Sequence, residues 1–125
     1  FDYVLMVTTI CFLDDVHKSF REVKRVLKKS GLFIVGFVDL ASPLGQVYER
    51  YKDTNVFYRD ATFYTVDDVL SLLKAHHFSQ IDIVQTVFGE LPKIAEIQAF
   101  IPGYGEGGFV VLKAVNIKYI RFYLS

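Results

Sequence analysis

The 125-residue sequence has no surplus of charge: 14 basic and 14 acidic residues cancel. No net field therefore gathers nucleic acid or an anionic membrane. It has one cysteine, Cys11, which excludes an internal disulfide and fits a reducing interior. It lacks an apolar run of the ~20 residues that cross a bilayer. The longest, Tyr3 to Leu13, covers about half of that and is interrupted by two threonines. The opening residues show neither the basic start nor the small-residue cleavage site of a signal peptide. No internal repeat or low-complexity stretch occurs. These absences lead to the expectation of a cytoplasmic domain whose partners include neither nucleic acid nor membrane.

What is present suits one globular domain. Hydrophobic residues make up 52% and charged residues 22%, which excludes a disordered chain. "YVLMV", from Tyr3, is continuously apolar and predicts a strand covered on both faces, as in a parallel sheet. Asp14 and Asp15 offer an N-cap for a helix from about Val16 to Lys28, with Val16, Phe20, Val23 and Leu27 as its apolar stripe. Gly31 is expected to take the left-handed position that ends it. "LFIVGFV", Leu32 to Val38, is a second buried strand, which completes a βαβ unit. Ser42 with Pro43 starts another helix, and Thr65 with Asp68 caps a third that carries Val69, Leu70, Leu72 and Leu73. "QIDIVQTVFG" and "GGFVVLKAV" then read as two strands paired antiparallel, joined by a segment with Pro92, Pro102 and several glycines. "NIKYIRFYLS", from Asn116, fits no period.

"GYGEGG", Gly103 to Gly108, has the spacing of a dinucleotide-binding loop, but a strand rather than a helix follows it. It reads better as a loop entering an edge strand. Adjacent His76 and His77 face different directions on a helix and make a poor metal pair. Cys11, Asp14 and His17 lie close in sequence, yet two of them belong to a helix start, so no metal site is expected. No G-x-S-x-G elbow supports a serine nucleophile.

The residues "FDYVLMVTTICFLDDVHKSFREVKRVLKKSGLFIVGFVD" resemble the second half of a class I S-adenosylmethionine-dependent methyltransferase, of the small-molecule kind called methyltransferase type 11. A strand that begins "FD", a helix ending in "RVLKKSG", the strand "LFIVGFV", a helix ending in "AHHF" and a closing strand pair follow the family's order over residues 1 to about 115. The resemblance implies an α/β fold, a partial Rossmann-like sheet of strands four to seven with the last antiparallel, and residues 116–125 as a tail of unknown role. It implies that three strands with the glycine-rich cofactor loop precede Phe1. The chain would then be a fragment that pairs with a missing N-terminal half, or forms a homodimer through its first strand.

The implied activity is methyl transfer from S-adenosylmethionine to a small-molecule acceptor. The end of the first strand, Met6, Val7 and Thr8, is implied to approach the methionine part of the cofactor. Substrate-facing candidates are Thr9 and Phe12 in the following loop, Phe37 and Asp39 at the end of the second strand, and Tyr58 and Arg59 in the variable segment. Tyr104 and Glu106 in the glycine loop complete the set. Relatives carry a histidine pair where this sequence has Cys11 and Phe12. Two other readings stay open: a non-catalytic half-domain that acts by association, and an unrelated α/β enzyme with its site at the glycine loop.

Overall fold

The computed structural model describes residues 1–87 and 100–117. Strand β1 (Tyr3–Val7) leads through a single-turn 3-10 helix (Ile10–Phe12) to α1 (Val16–Val26) and β2 (Leu32–Val38). Helix α2 (Pro43–Tyr51), a second 3-10 turn (Lys52–Thr54) and α3 (Val66–Ala75) follow. Strands β3 (Phe78–Thr86), β4 (Ile101–Pro102) and β5 (Phe109–Asn116) complete the described chain. The sheet order is β1-β2-β5-β3-β4. The β1–β2 pair is parallel, and β5 runs antiparallel between β2 and β3. This is the expected mixed α/β sheet, with the two-residue β4 as an addition at its far edge.

Helices start where the polar residues put them. The Asp15 carboxylate accepts the Lys18 N–H at 3.0 Å, and the Ser42 hydroxyl accepts the Gly45 N–H at 3.0 Å. Thr65 and Asp68 form a reciprocal capping box at 3.1 and 3.0 Å. Each cap satisfies N–H groups that a helix leaves unpaired at its start. The apolar stripes of α1 and α3 cover one face of the sheet. There Phe20, Val23, Val69 and Leu73 pack on Phe33, Val35 and Leu112. Phe20 meets Phe33 edge-on at 5.2 Å, and Phe33 lies 5.3 Å from Phe78.

Three sequence expectations are corrected. Among the described residues β1 is covered on one face only: Met6 is buried, but the alternate residues Tyr3 and Leu5, on the other face, are 66% and 67% exposed because no described element packs there. Helix α1 ends at Val26, and Ser30 rather than Gly31 takes the left-handed backbone, with φ 64°. Gly31 is there for space, since a Cβ would lie 2.9 Å from the Lys28 carbonyl and 3.2 Å from that of Asp2. Asn116 belongs to β5 rather than to a tail; residues 118–125 and Pro92 lie outside the described residues.

Asn116 explains how α1 is fastened. Its buried side-chain amide donates to the carbonyls of Leu27 and Lys28, each at 3.2 Å, and its oxygen accepts from Lys24 at 2.7 Å. Carbonyls at a helix C-terminus have no partner within the helix, so a strand residue supplies one. Lys24 also reaches the Ile117 carbonyl at 2.7 Å and sits over the Phe78 ring at 5.1 Å. One polar knot thus ties α1, β3 and β5 at the end of the sheet where β1 and β2 begin.

Candidate functional site

The opposite end of the sheet, where β1 and β2 finish, opens into a cavity of about 500 Å³. Open α/β sheets bind ligands at this end of their strands. Thr8 and Phe37 form its floor with Phe109, and Phe12 stands at one side. Tyr48 from α2 and Phe57, Tyr58, Phe63 and Tyr64 from the segment before α3 make the cover. That segment is held by backbone bonds: Thr62 N–H donates to the Cys11 carbonyl at 2.8 Å, and Leu40 N–H to the Tyr64 carbonyl at 2.9 Å.

The aromatic rings form a chain of contacts. Tyr48 and Tyr58 have centroids 5.2 Å apart, Tyr48 stacks on Phe63 at 6.1 Å, and Phe12 stacks on Tyr58 at 6.2 Å. Such spacings are attractive beyond simple burial. Gly45 lets α2 sit this close, because a Cβ there would coincide with the Asp39 carbonyl. Phe57 remains 78% exposed at the rim.

Two β-branched residues with left-handed backbone flank the cavity, Thr8 with φ 53° and Val87 with φ 61°. Such residues avoid this region, and strain of about 1–3 kcal/mol per residue persists where the surroundings impose it, typically around functional sites. The Thr8 N–H continues the parallel ladder to the Gly36 carbonyl at 2.8 Å, which fixes the residue. Its hydroxyl donates to the Val7 carbonyl at 2.8 Å.

Three groups of the lining, Cys11, Tyr48 and Tyr64, are held in their protonated forms. Burial pushes the Cys11 thiol up, with an opposing contribution from a backbone hydrogen bond. Burial, then the neighbouring Tyr58, raises the Tyr48 phenol; burial, then Asp68 and Cys11, raises that of Tyr64. None is a base near neutral pH.

The sequence-derived residues separate by position. Thr8, Phe12, Phe37 and Tyr58 line the cavity. Met6 is packed in the core, Val7 is exposed on the edge strand, and the exposed Thr9 donates its hydroxyl to the Val7 carbonyl. Asp39 is buried as a turn residue, where its carboxylate accepts the Ala41 N–H at 3.0 Å and its carbonyl accepts the Ser42 hydroxyl at 2.6 Å. Arg59 is exposed beside the cover. Tyr104 bonds Asp67 at 3.2 Å, and the Gln85 side chain accepts the Glu106 and Gly107 N–H groups at 2.9 and 2.7 Å. The glycine loop is therefore pinned to β3 and enters β5, as its sequence context predicts. Tyr48, Phe57, Phe63 and Tyr64 went unread, although residues 48–64 hold six aromatics, a density that marks the cover.

A histidine pair also escaped the sequence reading. His76 meets His17, with Nε2 2.9 Å from Nδ1, and joins the end of α3 to the start of α1. Burial first, then His17, Arg21, His77 and Lys24, holds His76 below its usual value. Among the described residues no group of three or more histidine, cysteine or acidic side chains could hold a metal ion. No described helix is long and apolar enough to cross a membrane.

Residues 1–35 match the type 11 methyltransferase family, described as a methyltransferase domain. An uncharacterized protein of Methanocaldococcus jannaschii is 40% identical over 117 residues, which are 94% of this chain and 57% of that protein. A crystal structure from Thermotoga maritima, described as a SAM-dependent methyltransferase and possible histamine N-methyltransferase, is 43% identical with a TM-score of 0.90. The match covers 93% of this chain and 56% of that one. A SAM-dependent methyltransferase from Archaeoglobus fulgidus, at 12% identity and a TM-score of 0.66, shares the fold over 91% of this chain and 58% of that one. The chain spans between about half and three-fifths of the length of these proteins.

Proposed function

The chain belongs to the class I S-adenosylmethionine-dependent methyltransferases, and from that premise we propose that its protein methylates a small molecule held in the aromatic cavity. The observation that carries this reading is the placement of a roofed cavity, floored by the strained Thr8, at the finishing ends of β1 and β2. S-adenosylmethionine, when bound, supplies an activated methyl on a sulfonium. The acceptor's lone pair would form the new bond to that carbon as the carbon–sulfur bond breaks, with its electron pair left on sulfur. A proton leaves the acceptor for solvent.

The residues present fit the methyl-bearing end of such a donor. The chain turns sharply at Thr8, which brings backbone and a small side chain, with no buried charge, to the cavity floor. The cavity walls contribute alignment and exclusion of water. With Cys11, Tyr48 and Tyr64 protonated, the acceptor must arrive in its nucleophilic form. The edge position of β1 among the described residues, and its exposed face of Tyr3, Leu5 and Val7, support a companion proposal, that further strands of a longer protein pair with β1 and a further element packs on that face, in keeping with the greater length of its relatives. Sedimentation that finds a stable homodimer closed by Leu5→Lys-sensitive contacts would replace that companion proposal.

Calorimetry with S-adenosylhomocysteine tests the main reading. Micromolar binding by the longer protein that carries this chain, weakened by Thr8→Val, is the expected result. Binding left unchanged by Thr8→Val in a protein with native circular dichroism overturns the proposal that this chain holds the methyl-bearing end.

A further inference from the structure

The lining of the cavity also bears on the charge of what enters it, an inference that rests on the methyl-transfer reading and deepens it. Every described side chain that lines the cavity is uncharged. The charged residues of the neighbouring segments are not part of the described lining. Asp39 is occupied by the Ala41 N–H, Arg59 is exposed beside the cover, and Lys52 donates to the Ala61 carbonyl at 3.3 Å and pairs with Glu49 at 3.4 Å. An anionic acceptor would give up its hydration and find no cation in return.

A protonated amine fares little better. Ring faces attract cations by about 0.5–2 kcal/mol, but the desolvation of an ammonium opposes this, and among the described residues no carboxylate lines the cavity. A protonated nitrogen also has no lone pair for the methyl group. Apolar surroundings favour the neutral form of an amine, which is the form that reacts. Phe12, Tyr48, Tyr58 and Phe63 contact one another and together present an aromatic wall to the cavity, which suits a flat group.

We propose that the cavity takes an uncharged, ring-bearing acceptor, and that an amine acceptor enters it unprotonated. Because the chain has no tryptophan, indole-based probes can be followed by their own fluorescence. Indole, tryptamine and indole-3-acetate share one ring and differ in charge at pH 7. Titrated separately into the full chain, indole should bind at least about ten-fold more tightly than either charged probe, as expected for desolvation without a partner. Tyr58→Ala should weaken indole by about five-fold or more, in line with the loss of one aromatic contact.

Equal or tighter binding of indole-3-acetate or tryptamine overturns the proposal, and so does the failure of all three to bind. The comparison of probes needs no variant, so a misfolded Tyr58→Ala leaves it decisive. S-adenosylhomocysteine titrated into the same sample separates the two readings. If it binds while a charged probe wins, the acceptor class is wrong and methyl transfer stands. If it fails to bind while indole wins, the reverse holds.

Discussion

At the end of the sheet where β1 and β2 begin, Asn116 and Lys24 spend their hydrogen bonds on helix and strand carbonyls, and the structure is closed. At the end where those strands finish, ring contacts join the hydrogen bonds, the backbone at Thr8 and Val87 is strained, and a cavity remains. The same sheet supports both. The difference teaches that polar side chains fasten α1 at one end, whereas at the other the elements are held around an apolar hollow that they leave open. Substitutions at the closed end should therefore cost stability, and those at the open end should cost binding.

The largest effect is expected in the core that joins the two ends. Phe33→Ala removes a fully buried ring between Phe20 and Phe78 and should lower stability by about 3–5 kcal/mol in urea denaturation. Asn116→Ala comes next. It takes the side-chain donor from the Leu27 carbonyl and the acceptor from Lys24, while the Lys28 carbonyl keeps the Gly31 N–H at 2.9 Å, and a loss of about 1–3 kcal/mol is expected. A neutral result would remove the closed end from the comparison.

Thr8→Gly should do the opposite at the open end. It relieves left-handed strain and should raise stability by about 1 kcal/mol while weakening S-adenosylhomocysteine binding. If it destabilises the chain, the strain at that end is not real.

The smallest effect is a pH dependence at the seam between α1 and α3. His76 titrates below its ordinary 6.5 in the folded chain, so above that pH both states are neutral and the pair costs nothing. As pH falls below 6.5 the unfolded chain takes up the proton first, and stability falls until the folded pKa is reached. The charged and titratable groups that face His76 are His17, Arg21, His77 and Lys24, all basic, so none offsets the trend. His76→Gln should flatten the stability profile below pH 6.5, a difference that urea denaturation at a series of pH values would read.

Much of the fold was legible in the sequence, because local patterns specify it. Asp15, Ser42 and the Thr65–Asp68 box announced the helix starts, and unbroken apolar runs announced β1 and β2. What failed was information held by distant partners. A run such as Tyr3–Val7 cannot say which neighbours cover it, and Asn116 reads as a tail residue until α1 lies beside it. The site was half legible for the same reason. Thr8, Phe12, Phe37 and Tyr58 followed from the family's order of elements. The packing of Tyr48 against Phe63, and of His17 against His76, depends on chain reversals that no local pattern encodes.

The position of β5 has a consequence for how the chain folds. β1, α1 and β2 are contiguous and can form while contacts are still local, whereas β5 is hydrogen-bonded on both sides to strands made long before it. Its pairing with β2 joins Leu32 to Val115, a large loop to close, and such closures slow folding. During synthesis, β2 and β3 are therefore expected to wait with bare edges until residues 109–116 leave the ribosome. Anything that guards those edges in the interval, a chaperone or a fast-folding neighbour, should raise the yield of native protein more than any gain in final stability.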